Sequence, residues 1–318
     1  MFFVNPLLMR MIAGLFAALT VGTLVRMVAL RDAAPDLARS RWGSLKTWWV
    51  LAILLSTAVM LGETGILLLI AITGAFGLRE YIGLVGWKVV GWPSILVVFS
   101  LAVSFYFAIL LGYEGFVRET APIVFLVALG ATRASLKLID GYIRSTAALI
   151  WGLMLFVYCL SHAYFLITIP NAAEPMVGKV GWFLYLVILT ETNDIAQAIV
   201  GRQFGKTKIT PRISPNKSLE GLIGGVFVTM TFAAILSPWL TTLIRDEAIT
   251  SGIALAMLAG LLISVFGFLG DINMSGIKRD AGVKDGSALL PGQGGMIDRM
   301  DSLTFTAPIF YYFVRTIL

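Results

Sequence analysis

Long apolar runs separated by short polar segments dominate the chain. Since a helix needs about 20 mainly apolar residues to cross a bilayer, the pattern predicts about ten spans. These spans cover residues 9–30, 47–62, 64–84, 93–112, 119–132, 146–169, 180–200, 219–243, 251–271 and 303–318. The second, fifth and last are short and must tilt or be shielded by neighbours. We therefore expect an all-α polytopic integral membrane protein with about nine to ten transmembrane helices.

Composition agrees with this pattern, because 58% of the 318 residues are hydrophobic and only 13% are charged. Together with a mean hydropathy of +0.89, these values exclude an ordinary soluble protein. The single cysteine, Cys159, and the single histidine, His162, lie in one apolar run, where we expect them to pack rather than bind a ligand. Their number excludes a disulfide framework and a histidine-rich zinc site. We expect contact with membrane lipids and no nucleic-acid partner.

Lysine and arginine residues concentrate in alternate loops. Most of them lie near 31–46, 79–92, 132–146, 200–218 and 271–302, whereas the opposite loops hold Arg118, Lys179 and Arg245. By the positive-inside rule the basic loops are cytoplasmic and both termini face outward. The expected location is a bacterial inner membrane, with any site built on the basic loops at the cytoplasmic face.

The loop at 200–218 carries five basic residues and a turn of sequence Ser-Pro-Asn-Lys-Ser that ends at Ser218. Ser218, followed by Glu220, is typical of a helix start, where free N–H groups attract anions. Lys217 beside that start would strengthen the attraction for a phosphate. The alternative is that these bases only interact with anionic lipid headgroups.

The loop at 271–302 adds carboxylates. Asp271 ends an apolar run, and Asp298 follows a turn of sequence Pro-Gly-Gln-Gly-Gly. Magnesium prefers oxygen ligands and commonly binds one or two carboxylates together with substrate phosphates. The loop therefore predicts Mg²⁺ at Asp271 and Asp298. The alternative is a solvated loop whose acids and bases only pair with each other.

The same loop supplies cations and glycines suited to phosphates. An arginine can bind two phosphate oxygens at once, and glycines let the backbone approach a ligand closely. The cations are Lys278, Arg279, Lys284 and Arg299, and the glycines are Gly292, Gly294 and Gly295. Glu191, one helical turn before Asp194, would line the same site or pair with a buried cation.

The order of these residues resembles the signature of the phosphatidate cytidylyltransferases, the CDP-diacylglycerol synthases. The family pattern is S-x-x-K-R-x4-K-D-x-[small]-x-x-L-P-x-H-G-G-x-x-D-R-x-D, and residues 275–301 follow it. The earlier loop is also similar, from Asp194 through Phe204-Gly205-Lys206 to Ser214-Pro215-x-Lys217. The resemblance covers residues 178–318. It divides the chain into an N-terminal transmembrane region, 1–140, and a C-terminal catalytic transmembrane region, 141–318.

The resemblance implies a nucleotidyltransferase that converts CTP and phosphatidate into CDP-diacylglycerol and pyrophosphate, with Mg²⁺ as cofactor. It also suggests a homodimer. The implied metal ligands are Asp271, Asp298 and Asp301. The implied catalytic residues are Asp271, Asp298, Lys278, Arg279, Lys284 and Gln293. The implied substrate-binding residues are Ser214, Lys217, Ser275, Arg299, Gly294, Gly295 and Asp194.

Two positions depart from the family pattern. Gln293 stands where the pattern has histidine, and the family's Asp-x-x-Ala-Tyr is only partly kept, since Asp194 is followed by Ile195, Ala196 and Gln197. Glutamine hydrogen-bonds like a neutral histidine, but its side chain cannot take up a proton at pH 7 and so cannot act as an acid or base. A positioning role for that residue would survive the change, whereas an acid–base role would not.

Three alternatives stay open. The first is an enzyme for a different lipid phosphate, such as a CDP-archaeol synthase or a lipid kinase of the dolichol kinase type. The second is a transporter of an anionic solute, which would place its charges near the bilayer midplane. The third is a non-catalytic relative that binds a CDP-lipid.

Overall fold

The computed structural model describes residues 5–31, 35–169, 173–244 and 249–318. Most of them are helical, and the remainder form one short hairpin and irregular connecting segments. The helices are α1 (Pro6–Ala29), α2 (Pro35–Met60), α3 (Gly62–Val85), α4 (Trp87–Val90), α5 (Trp92–Leu110), α6 (Glu114–Ser135), α7 (Tyr142–Leu153), α8 (Leu160–Phe165), α9 (Val180–Phe204), α10 (Leu219–Leu240), α11 (Ile249–Asp280), α12 (Ile297–Met300) and α13 (Leu303–Ile317). The strands are β1 (Lys208–Thr210) and β2 (Ser214–Ser218), which pair antiparallel.

Within the described ranges, 9 helices are long and apolar enough to cross a membrane. This confirms an all-α polytopic membrane protein. The tenth predicted span corresponds to α13, whose 15 residues would extend only about 22 Å. The short helix is shielded by its neighbours, since its residues Thr304, Ala307, Phe310 and Val314 are buried. Packing inside the bundle therefore explains an apolar segment too short to span alone.

The span Tyr142–Thr168 is an irregular helix. A π-helical segment, Met154–Cys159, joins α7 to α8. His162 follows it and is fully buried, with Nδ1 2.8 Å from the carbonyl oxygen of Tyr158 and its ring against Phe165 and Tyr311. These surroundings agree with the predicted packing role of His162.

Helices α9 and α10 pack against each other through glycines. A Cβ atom at Gly221 would lie 2.9 Å from the carbonyl oxygen of Gln197, and one at Gly225 would lie 2.4 Å from Gln197 Cγ. Small residues at such contacts let helix backbones approach closely within a membrane. The contact brings the start of α10, and Lys217 just before it, beside the polar end of α9.

Polar bonds inside the bundle tie α9 to α10 and α11. The fully buried Asn193 accepts hydrogen bonds at Oδ1 from Ser264 Oγ at 2.5 Å and from Gln197 Nε2 at 3.0 Å. Thr229 Oγ1 of α10 donates to the same oxygen at 3.4 Å. Buried polar groups are costly unless hydrogen-bonded. The network therefore fixes the relative positions of three helices, of which α9 carries Asp194 and α11 carries Asp271, Ser275, Lys278 and Arg279.

The loops lie at two opposite ends of the bundle, as the charge pattern predicts, and contacts between them are found at each end. At one end Lys179 Nζ lies 3.3 Å from Glu63 Oε1, near a bond of 2.6 Å from Asn5 Nδ2 to the carbonyl oxygen of Met176. At the other end, Thr47 in α2 bonds to the loop at 271–302. Arg245, one of the bases predicted outside, lies outside the described residues.

Candidate active site

The predicted site residues meet where the polar ends of α9 and α11 face the hairpin and the segment around α12. Asp194 lies on α9 and Asp271 on the last turns of α11. Asp298 lies on the short helix α12, and Asp301 follows it directly. Residues distant in sequence are thereby collected at one end of the bundle.

Lys217 and Asp271 form the first ion pair of the site. Lys217 Nζ lies 2.5 Å from Asp271 Oδ2 and donates to Gln197 Oε1 at 3.1 Å. Ser275 Oγ donates to the other oxygen, Asp271 Oδ1, at 3.3 Å. Ser218 fixes the lysine's backbone, since its Oγ accepts the Gly221 N–H at 3.2 Å as the N-cap of α10. The helix start predicted at Ser218 is therefore confirmed.

Lys278 and Asp298 form the second ion pair. Lys278 Nζ lies 2.6 Å from Asp298 Oδ1, and each side chain is 10% exposed. Asp298 Oδ2 accepts the backbone N–H groups of Gly286 at 2.9 Å and Gly295 at 2.8 Å. Burial raises the pKa of Asp298, but the bonds from Lys278 and the two N–H groups outweigh it, so the pKa lies below its usual value.

Close contacts favour glycine at 294, beside Asp298, and at 295, beside Glu80. Gly294 has φ +84°, and a Cβ atom there would lie 2.6 Å from Asp298 Oδ2. At Gly295 a Cβ atom would lie 2.5 Å from Glu80 Oε2. The backbone that was predicted to approach a ligand thus wraps two carboxylates of the chain itself.

Asp301 and Asp194 are linked through Ser302. Ser302 Oγ donates to Asp194 Oδ1 at 3.1 Å, and its N–H donates to Asp301 Oδ1 at 2.9 Å. Burial raises the pKa of Asp301, and the charges of Asp271 and Asp194 raise it further, to well above its usual value. Three acids therefore repel one another within one protected region.

The acids offer oxygen donors of the kind that Mg²⁺ prefers. In the described part of the chain, however, no three acid, cysteine or histidine side chains converge closely enough to hold a metal ion as they stand. The ammonium groups of Lys217 and Lys278 balance Asp271 and Asp298 instead. The mutual repulsion around Asp301 still fits a divalent cation, because a positive charge there would relieve it.

Three predicted residues lie at the rim of the site. Arg279 donates from Nε to the carbonyl oxygen of Ile213 at 3.2 Å and from Nη1 to that of Val283 at 3.0 Å, which joins the hairpin to the second loop. Lys284 is exposed, and Ser214 is half-buried at the start of β2. Their positions suit a ligand that approaches from the aqueous side.

Gln293 anchors the second loop to the N-terminal region. Its Nε2 donates to the carbonyl oxygen of Ser44 at 3.1 Å and to Ser44 Oγ at 3.2 Å. Beside it, Thr47 Oγ1 donates to the carbonyl oxygen of Pro291 at 3.0 Å. The glutamine that replaces the family histidine therefore positions the loop through its amide group.

A cavity of about 340 Å³ reaches the acids from the side of the bundle. Its polar wall contains Glu191, Asp194, Arg202, Asp298, Arg299 and Asp301, and its other wall contains Trp48, Ile195, Ala198 and Ile199. Ile195 and Ile199 are 52% and 46% exposed, so the apolar wall continues onto the outer face of α9. Arg299 Nε is buried and has no hydrogen-bond partner among the described residues. The cavity therefore joins a wall of ionisable side chains to an apolar surface.

Sequence reasoning missed Glu80 on α3, although a signal was available. Ionisable residues within predicted spans are costly and usually functional, and Glu80 lies inside the predicted span 64–84. Glu80 accepts hydrogen bonds from Ser287 and Ile297. No comparable signal marked Ser302, a common hydroxyl residue next to a motif. Glu191, which was singled out, does line the cavity.

The chain matches the sequence model described as the Cytidylyltransferase family over residues 43–317. It is 35% identical over 314 residues to the uncharacterized protein YnbB of Escherichia coli K12, which covers 97% of this chain and 99% of that protein. It is 45% identical over 136 residues to the phosphatidate cytidylyltransferase of Haemophilus influenzae, covering 42% of this chain and 46% of that protein.

A second enzyme of that name gives a similar result. The chain is 37% identical over 153 residues to the phosphatidate cytidylyltransferase of Staphylococcus epidermidis, which covers 48% of this chain and 56% of that protein. The matches to these two enzymes thus span about half of their lengths. The match to YnbB, in contrast, includes the N-terminal helices that contact the site.

Proposed function

Because this chain belongs to the cytidylyltransferase family, we propose that it transfers the cytidylyl group of CTP to phosphatidate. The phosphate oxygen of the lipid would bond to the α-phosphorus of CTP. The bond from that phosphorus to the bridging α–β oxygen would break, and pyrophosphate would leave. One observation carries the proposal: Asp194, Asp298 and Asp301 line a cavity that is open to the apolar face of α9, and Lys278 pairs with Asp298 as Lys217 does with Asp271.

The residues of the site suit this reaction. The lipid phosphate is itself an anionic nucleophile, so the reaction needs alignment and charge neutralisation rather than a nucleophilic side chain. Lys217 and Lys278 would exchange part of their contact with carboxylates for the triphosphate oxygens of CTP. Arg279 and Lys284 at the rim would bind the same group, and Ser275 would donate a hydrogen bond, as would Ser214.

We propose that Asp271, Asp298 and Asp301 hold Mg²⁺, with Asp194 in support. Bound Mg²⁺ would neutralise phosphate charge in the in-line displacement. Asp298 would join this set by giving up its bond to Lys278, which would leave the lysine free to bind phosphate. Two serine hydroxyl groups hold acids of this set in place. Ser275 donates a hydrogen bond to Asp271, and Ser302 donates one to Asp194.

The reaction would take place at the cytoplasmic face of a bacterial inner membrane, where the positive-inside rule places the basic loops. Phosphatidate would enter from the bilayer between Trp48 of α2 and Ile195 and Ile199 of α9, and CTP would enter from water past the hairpin. A homodimer stays a prediction.

Arg299 provides a test of the lipid's position. Arg299→Gln is expected to raise KM for phosphatidate by about tenfold, because hydrogen bonds to charged groups contribute roughly 1.5–3 kcal/mol. Because the proposed CTP contacts do not include Arg299, KM for CTP should change much less. Steady-state kinetics in detergent micelles measure both constants, with the exposed Arg212→Gln as control. A KM for CTP that rises instead would place Arg299 at the nucleotide.

Gln293 provides a test of the loop anchor. Gln293→Glu has the same shape but cannot donate to the carbonyl oxygen of Ser44, and we expect roughly tenfold lower kcat from loss of that bond. Gln293→His keeps a ring N–H donor and should stay within about threefold of wild type. Gln203→Glu, on an exposed part of α9, is the control. Equal rates for Gln293→Glu and Gln293→His would contradict the anchoring role.

A second candidate is cytidylyl transfer to a different lipid phosphate. It is favoured by the extent of similarity, since YnbB matches along the whole chain and the named phosphatidate cytidylyltransferases match over about half their lengths. A panel of acceptors with purified protein, CTP and Mg²⁺ tests both candidates. Phosphatidate as the fastest acceptor supports the proposal. A faster polyprenyl or ether-lipid phosphate would support the second candidate.

A further inference from the structure

We propose that Glu80 of α3 is a positioning residue that fixes the segment 287–297 and thereby aligns Asp298 and Lys278. The effect on catalysis rests on the proposed function, whereas the effect on the segment does not. Glu80 belongs to the N-terminal transmembrane region, outside the motif residues.

The carboxylate of Glu80 binds both ends of the segment. Glu80 Oε1 accepts the hydroxyl of Ser287 at 2.5 Å, and Oε2 accepts the N–H of Ile297 at 3.0 Å. The backbone of Gly295 also lies against it, since a Cβ atom there would be 2.5 Å from Oε2. One side chain therefore closes a loop of the chain that has no regular secondary structure before α12.

The fixed residues are next to the groups that bind Asp298. Gly286, which precedes Ser287, and Gly295 each donate an N–H to Asp298 Oδ2. Ile297, which is fully buried, immediately precedes Asp298. If Glu80 released the segment, these donors would lose their fixed positions. The carboxylate that pairs with Lys278 at 2.6 Å would then be less well aligned.

The location of Glu80 favours a specific role. Its neighbours Leu78, Tyr81 and Ile82 are buried in an apolar helix, where a half-buried carboxylate is costly unless its oxygens are bonded. Among the described residues no lysine or arginine forms an ion pair with it. Both oxygens are engaged by neutral donors from one segment. An acid held in this way stabilises that segment rather than the helix that carries it.

Two variants separate positioning from a purely structural role. Glu80→Ala removes both bonds. Glu80→Gln keeps them in altered form, because its amide oxygen can accept from Ile297 and its amide nitrogen can donate to Ser287 Oγ. The matched control is Glu63→Ala, an acid at the opposite end of the same helix whose carboxylate pairs with the exposed Lys179.

The first readout is trypsin cleavage after the exposed Lys284 in the folded, detergent-solubilised chain, followed by mass spectrometry. We expect Glu80→Ala to raise this rate about tenfold, since cleavage follows local opening. The second readout is steady-state kinetics with CTP, phosphatidate and Mg²⁺. We expect kcat to fall about tenfold or more while both KM values stay within about threefold. Glu80→Gln should have a cleavage rate and a kcat close to those of wild type, and Glu63→Ala should match wild type.

A wild-type cleavage rate in Glu80→Ala would overturn the inference, and so would faster cleavage with an unchanged kcat. If the wild type transfers no nucleotide to lipid, the proposed function fails, and the cleavage rates alone then decide whether Glu80 fixes the segment. Should Glu80→Ala not fold, Ser287→Ala takes its place in both assays, since it removes one of the two hydrogen bonds to Glu80. We then expect smaller effects in the same direction.

Discussion

Asp298→Asn is expected to reduce lipid labelling from CTP by roughly a hundredfold or more, the scale on which misplaced catalytic groups act. The carboxylate holds Lys278 on one oxygen and two backbone N–H groups on the other. Asparagine has one acceptor oxygen, so it must present an NH2 group to one of these donors. It also leaves Lys278 without its counter-charge in a site where both side chains are 10% exposed.

Breaking a buried ion pair by removing one partner costs roughly 3–5 kcal/mol, so stability must be followed beside activity. Thermal unfolding in detergent measures the first and labelled CTP incorporation the second. Asp140→Asn, an exposed acid in the loop between α6 and α7, should leave both unchanged. A folded Asp298→Asn protein with the wild-type rate would remove Asp298 from the site.

Lys217→Met and Asp271→Asn are each expected to lower kcat/KM by about a hundredfold, and the double variant should be little worse than either single one. The two side chains lie 2.5 Å apart and are 18% and 22% exposed, so each is the other's main partner. Residues that act as a unit give strongly non-additive effects. A double-mutant cycle on kcat/KM measures the coupling directly.

The chain supplies a matched control for this cycle. Lys179 and Glu63 also form an ion pair, at 3.3 Å, but both are more than half exposed and lie at the other end of the bundle. Exposed pairs typically contribute about 0–1 kcal/mol, so the cycle of Lys179→Met and Glu63→Gln should show almost no coupling. Multiplied losses for Lys217→Met and Asp271→Asn would mean that the two residues act independently.

The membrane fold could be predicted from the sequence because it depends on local patterns. Apolar runs of spanning length gave helices that the structure contains, including the doubtful segment that became α13. Ser218 was recognisable as a helix start because capping residues act over one turn. The proximity of Lys278 and Asp298 was also within reach, since both belong to the charged segment predicted as one loop, although the structure places Lys278 on α11 and Asp298 on α12.

The hydrogen bonds that hold the segments of the site in place could not be predicted in this way. Ser287 and Glu80 are 207 positions apart, and Gln293 and Ser44 are 249 apart. No periodicity or spacing connects such residues, because helix packing alone decides which of them meet. Asp298 pairs with a lysine of the same segment, as the alternative of a solvated loop expects, but that pair is only 10% exposed, and Asp271 pairs with Lys217 of the other loop. That pairing does not exclude a ligand site, since phosphates and metal ions would compete for the same groups.

The central claim, cytidylyl transfer to a lipid phosphate, is tested most directly by the position of the label that reaches lipid. Purified protein is incubated with phosphatidate, Mg²⁺ and CTP labelled at either the α- or the γ-phosphorus. We predict that the α-label enters lipid and the γ-label is recovered as pyrophosphate, because the bond between the α-phosphorus and the α–β bridging oxygen breaks. Lipid labelled from the γ-position would show a kinase, and no lipid label from either position with any lipid phosphate would contradict catalysis.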